Sequence, residues 1–349
     1  MPVRLVRVEE AVGKVLAHDV SIVTLDRKGA MLRRGHVIRE EDVPALKAAG
    51  HDVIYVADTR DELGRGWGEG LVFEDAAVAE VAEAIAGPNT HVAPMAEGKA
   101  VVKAAVDGLL KVRGDAIYEV NLGGAFTIVT KPHDAVVRRG EAVAIVDLIP
   151  LAVSEAVLRG VKEVLRESAP VVSVTPFKPF KAALIVAATE VYEGRIKDLA
   201  TPVIERKLSE YGGTLALRTV VPDDEGAIGE AVRKALRDSG VDAVLVVGGM
   251  SVDPTDRTPD AIRGVADEVV AYGIPYKPNT MTMVAYASGK PVLGIPSSII
   301  YFREANILDV LLPKIAARER VRRSWLASLG VGGLTEVFRR GVLARGGTP

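Results

Sequence analysis

The sequence contains no cysteine and no glutamine, and its five histidines all lie before residue 134. The absence of cysteine excludes disulfide bonds, thiolate metal sites and cysteine nucleophiles. Because no histidine follows His133, the C-terminal half can hold neither a Ser-His-Asp triad nor a histidine metal cluster. Most hydrolase mechanisms are therefore excluded for that half. Asparagine is also rare, and depletion of the thermolabile residue types is a weak indication of a thermophilic source.

The chain also lacks a dominant charge and a long apolar run. Its 44 Lys and Arg residues and 46 Asp and Glu residues leave a formal net charge of −2, which offers no global attraction to nucleic acid or anionic membrane. No apolar run approaches the ~20 residues needed to span a bilayer. The N-terminus, MPVRLVRVEE, lacks the apolar block of a signal peptide. We therefore expect a cytoplasmic protein with no nucleic-acid or membrane partner.

With 349 residues, of which 48% are hydrophobic, the chain is long enough for two or three globular domains. We expect a small mixed α/β unit over 1–57, a middle α+β domain over 58–175, an α/β domain over 178–318 and a basic C-terminal tail over 319–349. Three prolines at 170, 176 and 179 favour an extended connector and indicate a boundary near 175–180.

The middle domain gives the weaker signals. Spacing there predicts a helical stretch over Val101–Leu110 and a strand over Ile117–Leu122. The glycine-rich segment between residues 58 and 70 is typical of a linker. Gly64 and Gly66 begin a dinucleotide fingerprint, but Glu69 stands where the third glycine is required, so a nucleotide site is not predicted there.

From about residue 180 the chain alternates regularly between strands and helices. The predicted strands are Ala182–Ala187, Leu215–Val221, Val241–Val247 and Pro291–Ile295. The predicted helices are Asp198–Tyr211, Asp224–Asp238, Pro259–Ala271 and Ser297–Leu312. Valine- and alanine-rich strands that alternate with helices predict a three-layer α/β/α domain with a mostly parallel sheet.

Ligands of such sheets bind beyond the carboxyl ends of the strands, so the loops at these ends form one candidate surface. These loops are 187–198, 222–224, 248–259 and 294–298. They contain no histidine but several carboxylates, namely Glu190, Asp198, Asp223, Asp253 and Asp256. Carboxylates with exposed backbone amides suit Mg²⁺ bridging to a phosphate. Each residue also has an ordinary explanation: Asp223 or Asp224 could cap a helix, as could Ser297 and Ser298.

The third loop has the most specific pattern. Gly248 and Gly249 let backbone amides approach a ligand, and Thr258-Pro259 opens a helix. On the pattern of this loop, residues 180–318 resemble the molybdopterin-binding domain of the MoaB/Mog type. Molybdopterin adenylyltransferases and molybdopterin molybdotransferases share this domain. Gly248-Gly249 matches the family's Gly-Gly pair, and Asp256 matches its aspartate eight residues after the first glycine. Residues 258–261 match its Thr-Pro-Asp-Ala sequence.

The other loops resemble the family as well. Its Pro-Asp-Asp turn appears as residues 222–224, its Gly-x-x-x-Asp as Gly194 and Asp198, and the acidic position of molybdotransferases as Glu190. The resemblance implies bound molybdopterin, Asp223 and Asp256 as essential carboxylates, and Mg²⁺ held by these two with Glu190. The ligand would also contact other positions of the four loops, namely Gly248, Gly249, Ser251, Thr258, Pro259, Asp198, Pro296, Ser297 and Ser298.

Two departures keep the reaction open. Met250-Ser251 stands where adenylyltransferases carry Thr-Gly, and Pro296-Ser297-Ser298 stands where molybdotransferases carry Pro-Gly-x-Pro. The resemblance implies adenylyl transfer from ATP or molybdate insertion into the adenylylated pterin, and a homo-oligomer, dimer or trimer. The alternatives are a molybdopterin carrier without turnover and a nucleotide pyrophosphatase on a related domain.

Overall fold

A computed structural model describes residues 3–23, 28–58, 70–94, 98–251, 253 and 255–344. The predicted linker with Gly64, Gly66 and Glu69 lies mostly outside these described residues, as does Arg345 of the predicted tail. The chain divides into two compact units, Met1–Val174 and Thr175–Pro349.

The first unit begins with five short strands and one helix. They are β1 (Val3–Arg7), β2 (Val15–Leu16), β3 (Val20–Val23), β4 (Lys28–Leu32), α1 (Asp42–Ala48) and β5 (Val53–Ala57), with a 3₁₀ helix at Val8–Ala11. An antiparallel sheet has the order β1-β5-β2, and β3 pairs with β4. Leu16, Leu46 and Val56 are fully buried in its core.

The rest of this unit is also built from antiparallel pairs and helices. Its elements are β6 (Leu71–Phe73), α2 (Glu74–Ile85), β7 (Thr90–Pro94), β8 (Lys99–Ala104), β9 (Gly108–Val112), α3 (Gly114–Leu122), β10 (Phe126–Thr130), β11 (Val136–Val137), β12 (Ala142–Leu148), β13 (Ala152–Ser154), α4 (Glu155–Glu167) and β14 (Val172–Pro176). Four strands form the main sheet in the order β10-β12-β8-β7.

Two predictions for this region are wrong. The helix expected over Val101–Leu110 is β8 followed by β9, and the strand expected over Ile117–Leu122 is the C-terminal part of α3. Three consecutive residues of β8, from Ala100 to Val102, are buried, so this strand does not show the alternation of a half-exposed one. α3 buries Ala116, Ile117 and Val120, which is the spacing of one helical face.

The second unit contains a six-stranded sheet. Its strands are β15 (Phe180–Ala187), β16 (Gly213–Val221), β17 (Ala243–Val247), β18 (Glu268–Tyr272), β19 (Met283–Ala287) and β20 (Lys290–Ile295), in the order β16-β15-β17-β20-β19-β18. β16, β15, β17 and β20 run parallel, whereas β19 pairs antiparallel with β20, and the edge strand β18 pairs antiparallel with β19. The predicted mostly parallel α/β sheet is confirmed, with all four predicted strands in it.

Helices follow the strands of this sheet. They are α5 (Thr189–Tyr192), α6 (Ala200–Glu210), α7 (Glu225–Arg237), α8 (Thr258–Arg263), α9 (Leu308–Ala316), α10 (Arg323–Ser328) and α11 (Glu336–Ala344), with a 3₁₀ turn at Ser297–Ile300. α6 and α7 confirm two predicted helices. The helix predicted over Pro259–Ala271 is wrong beyond Arg263, because the chain turns there into β18. The helix predicted over Ser297–Leu312 is a 3₁₀ turn and then α9.

The core of this unit lies on both faces of β15, where every residue from Ala182 to Ala187 is buried. One face packs against α7 and α8 through Ile228, Val232 and Ile262. A strand that is buried on both faces has a continuous apolar sequence, which is why its sequence shows no alternation.

Three arginines of the predicted basic tail, and Arg318 just before it, form ion pairs. Arg318 pairs with Asp242, Arg320 pairs with Glu268, and Arg339 and Arg340 both pair with Glu336. These pairs agree with a solvated, charge-balanced surface. Within the described ranges, no helix is both long and apolar enough to cross a membrane.

Candidate functional site

The candidate site lies where the strand order of the second unit reverses. β15 has β16 on one side and β17 on the other, so the loops that leave their carboxyl ends diverge and open a crevice. A cavity of about 260 Å³ lies there and takes lining residues from all four predicted loops. The predicted site residues that line it are Glu190, Asp198, Asp223, Gly248, Gly249, Asp256 and Ser297. The predicted residues outside its lining are Ser251, Thr258, Pro259, Pro296 and Ser298.

Gly248 and Gly249 form a close-fitting backbone cradle. Gly248 has a φ of +109°, and a Cβ at this position would stand 2.0 Å from the carbonyl oxygen of Ala187. A Cβ on Gly249 would stand 3.0 Å from Thr258 Oγ1 and 3.2 Å from Asp223 Oδ1. Within the described part of the chain, the Gly249 N–H donates no hydrogen bond. The neighbouring backbone therefore excludes a side chain at Gly248, and Thr258 and Asp223 leave little space for one at Gly249.

Thr258 is the buried polar residue behind this cradle. It is 0% exposed, and its Oγ1 has no hydrogen-bond partner among the described residues. Its main-chain N–H donates to the Gly249 carbonyl oxygen at 3.2 Å, which holds the hydroxyl beside the glycine. A buried hydroxyl without a partner costs roughly 1–3 kcal/mol, so such groups are concentrated at sites that a ligand completes.

The second loop separates the roles of two adjacent aspartates. Asp224 caps α7, because its side chain accepts a hydrogen bond from the Ala227 N–H at 2.8 Å. Asp223 turns into the cavity instead, where its Oδ2 accepts a hydrogen bond from the Thr189 N–H at 3.0 Å. The main-chain N–H of Asp223 donates in return to Thr189 Oγ1 at 3.0 Å. This reciprocal pair ties the first loop to the second and leaves Asp223 Oδ1 facing Gly249.

Asp256 closes the third loop on itself. Its Oδ2 accepts a hydrogen bond from the Ser251 N–H at 2.5 Å, and its own N–H donates to the Asp253 carbonyl oxygen at 2.9 Å. Asp253 is a turn residue, since its carboxylate accepts hydrogen bonds from the N–H and the hydroxyl of Thr255. The Thr255 N–H lowers the pKa of Asp253. Of the two carboxylates, only that of Asp256 lines the cavity.

Met250 anchors the same loop in the core. It is 2% exposed, and its Sδ lies where a side chain at Gly294 would otherwise stand, 2.7 Å from the position of a Cβ. The Tyr272 hydroxyl donates to the Met250 carbonyl oxygen at 2.8 Å. Burial raises the pKa of Tyr272, so its hydroxyl stays protonated and remains a donor. The departure from the adenylyltransferase pattern at Met250 therefore changes the loop's anchor and not the cavity lining.

Asp198 lines the cavity, but its carboxylate is fully engaged. Its Oδ1 accepts hydrogen bonds from the Ala200 and Thr201 N–H groups at 2.8 and 3.0 Å, at the start of α6. Its Oδ2 accepts from the Thr201 hydroxyl and from Arg218 Nη2, the latter at 2.7 Å. Burial by itself raises the pKa of Asp198, but the hydrogen bonds from Thr201 and Arg218 outweigh it and leave the pKa below its ordinary value. Asp198 therefore fixes the rim of the cavity.

One wall of the cavity consists of residues that sequence reasoning did not single out. Ile196, Leu199 and Ile300 form an apolar side, and Lys197 adds a cation. Ile196 and Leu199 are 53% and 51% exposed. Within the described ranges, no hydrogen bond or ion pair reaches the carboxylate of Glu190 or the ammonium group of Lys197. The sequence marks these residues as part of the site only by their position in the predicted strand-end loops. Exposed apolar residues are common, so this position did not distinguish them.

The two serines of the fourth loop have different surroundings. Ser297 lines the cavity, whereas the Ser298 Oγ accepts a hydrogen bond from Asn279 Nδ2 at 2.9 Å and lies outside the lining. Both belong to the 3₁₀ turn Ser297–Ile300, in which neither side chain caps a helix.

The fit of a divalent metal can be tested on the carboxylates present. In the part of the chain that the structure describes, no three His, Asp or Glu side chains form a group that could hold a metal ion by themselves. Glu190, Asp223 and Asp256 nevertheless line one cavity. Mg²⁺ commonly uses one or two carboxylates together with waters and ligand phosphates, and this donor set is compatible with that mode.

Residues 183–316 match a family model described as "Probable molybdopterin binding domain", and residues 5–58 match a domain of unknown function. The first span contains all four loops and the whole cavity lining. This part of the chain is therefore a molybdopterin-binding domain related to the enzymes of molybdenum cofactor biosynthesis. It is of the MoaB/Mog type, and the predicted resemblance is confirmed.

The relatives that this chain matches align with only part of it. A molybdopterin molybdenumtransferase of Staphylococcus epidermidis is 27% identical over 112 residues, which are 32% of this chain and 26% of the relative. A molybdopterin adenylyltransferase of Pyrococcus furiosus is 28% identical over 111 residues, 32% of this chain and 64% of the relative. A CinA-like protein of Deinococcus radiodurans is 37% identical over 90 residues, 26% of this chain and 22% of the relative. The chain thus spans about a quarter of the molybdenumtransferase that it matches.

Among solved structures, the molybdopterin biosynthesis enzyme MoaB of Thermus thermophilus aligns with 43% of this chain and 97% of its own length. The sequence identity is 22% and the TM-score is 0.36.

Proposed function

We propose that the cavity binds molybdopterin or its adenylylated form, and that the protein acts on this ligand by Mg²⁺-dependent adenylyl transfer from ATP or by molybdate insertion. The observation that carries the proposal is the cradle at Gly249, where an unpartnered buried hydroxyl of Thr258 and the Oδ1 of Asp223 face the same side-chain-free space. Asp223 and Asp256 line the cavity beside this cradle, so oxygen ligands for Mg²⁺ and for a phosphate bridged by it lie in one site.

The lining residues have complementary roles in this proposal. The free N–H of Gly249 and the ammonium group of Lys197 attract the anionic part of the ligand. Asp223 and Asp256 hold Mg²⁺ with waters and phosphate oxygens, and Glu190 is the third candidate ligand. When bound, the metal would stabilise negative charge on a transferring phosphoryl group. Asp198 keeps the rim in place through α6, and Ser297 contributes an exposed hydroxyl from the opposite loop.

The decisive experiment incubates the purified chain with molybdopterin, Mg²⁺-ATP and molybdate under anaerobic conditions and identifies the bound species by mass. We expect the adenylylated pterin or a molybdenum-containing pterin with the wild type, and unmodified molybdopterin or none with Asp256→Ala. Equal product formation by wild type and Asp256→Ala would overturn the assignment of that residue. Absence of bound pterin in the wild type would overturn the proposed ligand.

Two other functions remain distinguishable. Tight binding of unmodified pterin without any product would indicate a carrier. Ser297 favours this alternative, because it departs from the family pattern and lines the cavity. Hydrolysis of nucleotide pyrophosphates in a separate assay would indicate the pyrophosphatase. The dimer or trimer implied by the resemblance belongs to the proposal as well, and sedimentation at several protein concentrations measures it.

A further inference from the structure

Asn279 is a buried asparagine outside the cavity lining, in the connection between β18 and β19. It is 6% exposed, and its Nδ2 donates to Ser298 Oγ at 2.9 Å. Its Oδ1 accepts a hydrogen bond from the Ile307 N–H at 3.5 Å, and its main-chain oxygen accepts one from the Thr282 hydroxyl at 2.7 Å. One residue therefore joins its own connection to the 3₁₀ turn and to the segment before α9.

The connection that carries Asn279 is itself held in place. The Lys277 N–H donates to the Gly333 carbonyl oxygen at 2.7 Å, and the Thr335 hydroxyl donates to the Lys277 carbonyl oxygen at 2.6 Å. Asn279 has a φ of +76°, a left-handed conformation that asparagine tolerates better than most residues. Its carboxamide thus starts from a fixed backbone position.

The turn on the other side of this hydrogen bond borders the cavity. Ser297 and Ile300 line the cavity, while Ser298, between them in sequence, points to Asn279. A single 3₁₀ turn has few internal hydrogen bonds and depends on outside contacts for a defined geometry. We infer that Asn279 is a positioning residue for ligand binding, which acts through Ser298 to fix the turn that presents Ser297 and Ile300 to the ligand.

This inference rests on the proposed function, and its test uses molybdopterin as the probe. Two variants each break the hydrogen bond without changing a lining residue. Asn279→Gly removes the carboxamide and tolerates the positive φ, and Ser298→Ala removes the acceptor hydroxyl. Ser298→Thr keeps that hydroxyl. Thr280→Ala is the matched control, because it deletes a hydroxyl in the same connection whose hydrogen bond goes to the Tyr276 carbonyl oxygen and not to the turn.

Dissociation constants for molybdopterin and thermal midpoints are measured for six full-length proteins: the wild type, the four single variants and the double variant Asn279→Gly/Ser298→Ala. We expect Asn279→Gly and Ser298→Ala to weaken binding about three- to tenfold, the range of one lost hydrogen bond. The double variant should bind molybdopterin no more weakly than the weaker-binding of the two single variants, because both substitutions remove the same hydrogen bond. Ser298→Thr and Thr280→Ala should stay within about twofold of the wild type, although Thr280→Ala lowers the thermal midpoint.

The outcomes separate this inference from the proposed function. If the wild type binds molybdopterin and both Asn279→Gly and Ser298→Ala bind it with the same affinity, the role of Asn279 is overturned and the proposed ligand stands. Equal loss of affinity in Thr280→Ala also overturns it, since the effect would then follow stability alone. A wild type that does not bind molybdopterin overturns the proposed function itself.

Discussion

Gly248 lies so close to Ala187 that a Cβ on the glycine would stand 2.0 Å from the alanine carbonyl oxygen. Ala187 is the last residue of β15, and Gly248 directly follows the neighbouring parallel strand β17, whose backbone the sheet holds to that of β15. The Gly248 N–H also donates to the Ile295 carbonyl oxygen of β20 at 3.1 Å. The glycine is therefore the point where three strand ends meet under the cavity.

Gly248→Ala should destabilise the protein by about 3 kcal/mol, because the methyl group clashes with backbone that the sheet cannot move and the φ of +109° is unfavourable for alanine. Urea denaturation measures the loss. The control is Gly264→Ala, where φ is −70° and the nearest atom to a Cβ is 3.5 Å away. Equal stability of the two variants would contradict the close approach.

Asp223→Asn and Asp224→Ala should have different consequences although the residues are adjacent. Asp223→Asn should abolish Mg²⁺-dependent product formation with little change in stability, because its carboxylate lines the cavity. Asp224→Ala should lower the unfolding free energy by about 1 kcal/mol through the lost cap of α7 and leave ligand binding intact. Product formation, calorimetric binding and urea denaturation of each variant measure these effects. The assignment is wrong if Asp224→Ala abolishes binding while Asp223→Asn preserves it.

Met250→Ala should cost about 2–5 kcal/mol of unfolding free energy, because it leaves a void over Gly294 in the core. Ligand affinity should fall as well, since the loop loses its anchor. Met250→Leu conserves the volume and should cost less than about 1.5 kcal/mol. Thermal denaturation and molybdopterin titration of both variants measure this. A Met250→Ala protein as stable as the Met250→Leu protein would show that the side chain does not hold the loop.

Asp198 should contribute a pH-dependent part of stability. Its pKa is lower in the folded protein than in the unfolded chain, so its stabilising effect is present above the unfolded pKa of about 4 and disappears as the pH falls through the folded value. The difference in unfolding free energy between wild type and Asp198→Asn should therefore shrink below about pH 4. Urea denaturation at pH 7, 5, 4 and 3 tests this. Arg218→Gln removes one source of the shift and should show a smaller pH dependence; a difference that is constant with pH would contradict the prediction.

Much of the second unit is predictable from local sequence. The apolar runs that form β15, β17 and β20 are long enough to identify without their partners, and the residues after them must fall at one edge of a parallel sheet. The middle region was harder to predict, because a strand buried by neighbours on two sides, such as β8, has no alternating pattern. Helical and strand spacing are then not distinguishable in a short apolar segment.

The sequence by itself determined the α/β class of the second unit, the four loops and the residues available in them, because the positions of strands and loops along the chain follow from apolar runs and turn residues. The direction of individual side chains was decided only in the tertiary structure. Contacts with distant residues hold Asp223 at Thr189, bury Met250 over Gly294, and bring Asn279 to Ser298. Contacts between segments so far apart in sequence depend on the whole sheet being formed, and no local pattern encodes them.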